Sequence, residues 1–241
     1  MAESIKNLLI VFSAGFLPSL LWLWFWLKED PHPEPRKTLL KSFLAGIAIV
    51  PFVFLLEYGF LKLLVTNGVV QKSQIDYLPL AQSLILFLGW AFIEEISKFF
   101  TAWWVDLRRS VYDEPVDAMI YLITVSLGFA ALENALFLNK VLPEGVIQSA
   151  MTLNLRFLGA TLLHSLTAGV MGASIALSFF HKEHVHRNVI GGIILATLLH
   201  WSFNAIIINS ESELMFQTFF AVWSLVVVLI FIFERVKRLH A

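Results

Sequence analysis

Four groups of polar residues interrupt long apolar stretches of this sequence: Glu94 with Glu95, Glu133 with Asn134, His164, and His200 followed by Asn204. An ionisable side chain deep in hydrocarbon costs about 2.5–3.5 kcal/mol on insertion scales, so several at similar depth imply a shared interior site. Lys98 follows the glutamate pair by three and four residues, and on a helix one ammonium reaches either carboxylate. It neutralises only part of their charge and leaves a carboxylate available for general acid or base work. His200 and Asn204, four apart, share a helix face and could donate hydrogen bonds to a developing oxyanion. A second chemistry uses overlapping residues. Glu95, Glu133, His164 and His200 make a two-histidine, two-carboxylate set able to hold zinc or another divalent ion, whose bound water would be the nucleophile. No His-Glu-x-x-His pair is present, which removes the commonest local zinc-protease signature. Buried titratable groups also suit a proton-coupled transporter, although no inverted repeat or matched pair of Gly/Pro-interrupted helices accompanies them.

These residues need elements to carry them. Of 241 residues 58% are hydrophobic and 15% charged, with a mean hydropathy of +0.77, a balance that water does not tolerate in a soluble domain of this length. Apolar runs near 5–27, 39–66, 79–105, 116–139, 152–180, 188–209 and 213–234 each suffice to cross about 30 Å of hydrocarbon as helix. The expected fold is all-α, a polytopic membrane bundle of about seven helices. It forms one domain over 1–241, with a catalytic core at about 79–209. Trp22, Trp24 and Trp26 at the end of the first run suit a membrane interface. Cysteine is absent, so disulfides and thiolate metal sites are excluded.

Basic residues divide unequally between the two sets of loops. Lys28, Arg36, Lys37, Lys41, Arg108, Arg109, Lys182, Arg187, Arg235, Lys237 and Arg238 fall on one side, and Lys6, Lys62, Lys72, Lys140 and Arg156 on the other. The positive-inside rule places the richer set in the cytoplasm, with the N-terminus outside and the C-terminus inside. Counting at 1.5 Å per residue puts Glu94, Glu95 and His200 about 18 Å from that face, with Glu133 and His164 about a turn further out. Ala168 and Gly172 continue the face of His164 as a small-residue stripe that admits a neighbouring helix or an extended substrate. Glu57 has no motif around it and is read as packing or interfacial.

The run Glu94-Glu95-Ile-Ser-Lys98, then Phe129-Ala-Ala-Leu-Glu133-Asn134, then His164, then His200-Trp-Ser-Phe-Asn204, resembles the ordered motifs of the PrsW family of intramembrane proteases. That family belongs with the group containing CAAX prenyl proteases and bacteriocin-processing enzymes. Pro33-Glu-Pro35 and Pro115-Val-Asp117 extend the likeness across residues 30 to 208. The resemblance implies an endopeptidase of a bacterial cytoplasmic membrane. Its partners would be the lipid bilayer and a membrane protein or peptide, such as a single-pass anti-sigma factor, and not nucleic acid. Carried over, Glu94 is the base that activates water, His200 with Asn204 the oxyanion donors, and Glu95 with Lys98 the orienting pair, while Asn134 supports. No cofactor is favoured. In the larger group the second motif ends in histidine where this chain has Glu133. Which carboxylate activates water therefore stays open, as does whether Glu133 or His164 takes that histidine's part. An inactive relative acting as a binding protein is a further alternative.

Overall fold

The computed structural model describes residues 2–71, 79–209 and 212–239, with side chains from residue 9 onward except those of 208–216. Lys72 lies outside the described residues. Among the described residues eight α-helices follow one another: α1 (Ala2–Trp26), α2 (Arg36–Thr66), α3 (Leu80–Ala102), α4 (Asp117–Val141), α5 (Val146–Leu155), α6 (Thr161–Ala176), α7 (Val185–Asn209) and α8 (Ser212–Val236). A π-helical turn at Arg156–Ala160 joins α5 to α6, so these two make one crossing, Val146–Ala176. Seven helical segments among the described residues are long and apolar enough to cross a membrane, as the hydropathy pattern predicts. Pro35 and Pro79 stand just ahead of α2 and α3, where a missing amide hydrogen costs nothing.

Burial separates a centre from a rim. The α4 and α5–α6 crossings are each 78% buried along their most apolar stretch, against 28–39% for the other five, so they form the axis around which the rest pack. The exposed Leu, Ile and Phe side chains of α2, α7 and α8 face outward, as lipid-facing surfaces do. Small residues permit the tightest crossings. A Cβ on Gly46 of α2 would lie 2.0 Å from the Val125 carbonyl oxygen, and one on Gly128 of α4 would lie 2.1 Å from that of Phe43. The Gly128→Ala variant is therefore expected to force α2 and α4 apart and to lose about 1–3 kcal/mol, read as an earlier midpoint in denaturant unfolding in detergent. A Cβ on Gly172 of α6 would likewise lie 2.5 Å from Met119 Cα. Of the two roles open to the stripe beyond His164, it serves helix packing.

One sequence expectation changes. Trp22 and Trp26 are buried, Trp26 stacking on Phe233, and Trp24 alone is exposed, with the Lys28 ammonium 3.3 Å over its ring. Trp22 and Trp26, four residues apart, share the inward face of α1, while Trp24 between them points away. The Pro33-Glu-Pro35 segment is bonded to α4 and to its own loop. Glu34 accepts a hydrogen bond from the Tyr121 hydroxyl, and its backbone amide donates to Asp30. Asp117 accepts from the amides of Asp113 and Glu114, while His32 pairs with Glu114 at 2.6 Å. Burial pushes the Glu34 carboxyl above the usual carboxylate range, and the bond to Glu114 raises His32. The loops after α1 and α3 are tied together at one face, which fixes the start of α4.

Candidate active site

Glu94, Glu95 and Lys98 occupy one inward face of α3, and all three are buried. The Lys98 ammonium lies 3.0 Å from Glu94 Oε2, 2.9 Å from Glu95 Oε1 and 2.9 Å from His164 Nδ1, with the Phe129 ring 4.6 Å away. An ammonium has three protons and no acceptor, so His164 Nδ1 accepts. The His164 proton then resides on Nε2 and is donated to Glu133 Oε2 at 3.0 Å. Ser126 of α4 donates to the His164 carbonyl at 2.9 Å, which locks α6 against α4 at this level.

From α7, His200 Nδ1 donates to Glu95 Oε1 at 2.7 Å. Its other nitrogen, Nε2, faces Glu94 Oε1 across 4.0 Å, and the rings of His164 and His200 stand edge to face at 5.2 Å. Trp201 Nε1 donates to the Leu84 carbonyl and fixes the rotation of α7 on α3. Glu94, Glu133, His164, His200 and Asn204 all line one interior cavity of about 330 Å³. Glu133 and His164 line the same cavity as Glu94 and His200.

Two cavity residues were not assigned from sequence. Arg156, counted there among loop cations, stands in the cavity wall. It bonds Glu133 Oε2 and Asn134 Oδ1 at 2.5 Å each, and Asn134 in turn donates to Thr161. The π-helical turn that begins at Arg156 rotates it inward, and the Phe157 carbonyl of that turn accepts from Trp22 Nε1. Glu57 also lines the cavity. Its position in the second run, three residues after Phe54 on one helix face, carried no polar partner in sequence to signal this.

Donor chemistry alone suits zinc, since Glu94, Glu95, His164 and His200 each bring a ligand atom within 4.8 Å of the others. Glu133 stands apart from that group, unlike in the set read from sequence, because it lies beyond His164 and pairs with Arg156. The Lys98 ammonium already contacts three of the four, so a divalent ion on the same atoms would sit against a fixed positive charge. Lys98 and a divalent ion would therefore compete for the same atoms. Glu95 Oε2, buried without a donor among the described residues, retains capacity for one more hydrogen bond.

A family model described as PrsW family intramembrane metalloprotease matches residues 34–233. Protease PrsW of Geobacillus kaustophilus is 30% identical over 200 residues, covering 83% of this chain and 80% of that protein. Protease PrsW of Oceanobacillus iheyensis is 25% identical over 233 residues, 96% of each chain, and that of Bacillus subtilis 27% over 199 residues, 82% of each. No solved structure matches the chain.

Proposed function

The chain belongs to the PrsW family of intramembrane proteases, and from that premise we propose that it hydrolyses peptide bonds of a membrane protein by glutamate-activated water, without a metal ion. The substrate is a single-pass regulator, of which an anti-sigma factor is the type the family resemblance suggests. The observation that carries the mechanism is the 4.0 Å gap between Glu94 Oε1 and His200 Nε2 at the cavity wall. One water molecule at about 2.8 Å from each atom spans such a gap.

Glu94 takes a proton from that water through Oε1 as the oxygen attacks the peptide carbonyl carbon; its Oε2 is already committed to Lys98. The tetrahedral oxyanion receives hydrogen bonds from His200 Nε2–H and the Asn204 amide. His200 Nδ1 is engaged by Glu95, so a donating Nε2 makes the ring an imidazolium. Three carboxylates, Glu94, Glu95 and Glu133, then face three cations, Lys98, Arg156 and His200. As the C–N bond breaks, Glu94 returns its proton to the leaving amine. Lys98 supplies the fixed positive charge that the metal reading assigns to zinc.

The catalytic unit spans about 79–209 within a single domain, with the N-terminus outside and the C-terminus cytoplasmic. Assigning Arg156 to the interior leaves eleven cations against four in the loops, which supports that orientation. Arg156→Gln is expected to lower kcat by about 10²-fold through misplacement of Glu133 and His164, with KM moving less. Steady-state kinetics on purified protein read both. The proposal as a whole is tested by reconstituting the protein with single-pass membrane proteins and mapping the products by mass spectrometry. Cuts within or at the edge of the spanning segment support it. No cleavage of any of them would favour the transporter or binding readings.

A further inference from the structure

We propose that Glu57, with Phe54, Phe87 and Trp90, forms a subsite for a basic side chain of the substrate, a lysine or arginine beside the scissile bond. The subsite rests on the peptidase reading of the cavity and extends it to specificity.

Charge is the first ground. Every other ionisable group in the cavity wall has a partner: Glu94 has Lys98, Glu133 has Arg156 and His164, and His200 has Glu95. Glu57 alone, among the described residues, presents a cavity-lining carboxylate with no hydrogen bond or ion pair to its side chain. A carboxyl group deep in a membrane protein is costly to ionise unless it meets a cation, and the internal cations here are already engaged. The cation left to meet it is one that the substrate brings.

Shape is the second. Phe54 precedes Glu57 by one turn of α2, and Phe87 and Trp90 stand one turn apart on α3, all in the wall of the same cavity. Trp90 Nε1 donates to the Glu57 carbonyl at 3.2 Å, which fixes this turn of α2 against α3. Aromatic walls accept the apolar stem of a lysine or arginine and attract its charged end, while a carboxylate terminates the slot. Glu57 and Glu94 border one cavity of about 330 Å³, so the basic residue lies roughly two residues from the bond cut, at 3.3–3.6 Å per extended residue.

The test uses a peptide carrying the segment mapped as cleaved by the wild-type protein. Lysine, norleucine or glutamate is placed in turn at each position flanking the cut. At one position wild type should favour lysine over norleucine by about tenfold in kcat/KM, the scale of one partly desolvated charge pair. Glu57→Gln should remove most of that preference. Glu57→Lys should turn a preference for lysine over glutamate into the reverse, an inversion that a merely structural role for Glu57 would not produce. Equal cleavage of lysine and norleucine peptides by wild type, or an unchanged lysine preference in either variant, would overturn the subsite while leaving the peptidase standing. A wild-type protein that cleaves neither peptide nor membrane protein overturns both.

Discussion

Glu94→Gln is expected to lower kcat/KM by about 10²–10⁴-fold, the range that general acid–base catalysis supplies. The amide keeps the shape of the side chain and still accepts from Lys98, so the helix face and the fold persist. What it loses is the ability of Oε1 to take a proton from water. The partner atom is named by the geometry: His200 Nε2 faces the same gap at 4.0 Å. His200→Ala should therefore bring a loss of similar order. Cleavage is read by gel or mass spectrometry on matched amounts of protein, with size-exclusion profiles as the control for folding. A Glu94→Gln protein with more than a tenth of wild-type activity would move the base to Glu133 or Glu95.

Lys98→Met is expected to produce the second large effect, in two parts. Activity should fall by at least about 10²-fold, because Glu94, Glu95 and His164 are all positioned through the one ammonium and small displacements are costly. Stability should fall by about 3–5 kcal/mol, the penalty for leaving buried charges uncompensated. The second part is a gain. With the ammonium removed, four ligand atoms within 4.8 Å of one another face no competing cation, and the variant should take up zinc that the parent refuses. Metal content after dialysis against zinc, measured by mass spectrometry on both proteins, reads this. Equal zinc in both would mean that Lys98 does not occupy the centre.

The spans and the inward polar residues were legible in the sequence because membranes punish polarity: each glutamate or histidine inside an apolar run announces a site, whatever the packing. Pairings along one helix were also legible, since Glu94, Glu95 and Lys98 are linked by helical spacing alone. Pairings between helices were not. The joining of Glu133 to His164 and Arg156, rather than to the Glu95 group, depends on the tilt and rotation of α4 against α6, which Ser126 and the close contact at Gly172 determine. Arg156 was hidden for a related reason. It lies near a span's end by count, and only the extra residue of a π-helical turn, supported by Trp22, swings it into the wall. Glu57 stayed ambiguous because no residue one turn away on its own helix could pair with it.

The central claim is that a lysine supplies the charge in a glutamate protease. The most direct test is to measure activity and metal content together on protein stripped with a strong chelator and exchanged into metal-free buffer. Cleavage at the wild-type rate by protein holding far less than one equivalent of any divalent metal, and lost in Glu94→Gln, is the result expected. Cleavage that vanishes on stripping and returns in proportion to bound zinc would contradict it and assign Glu94, Glu95, His164 and His200 to a metal centre.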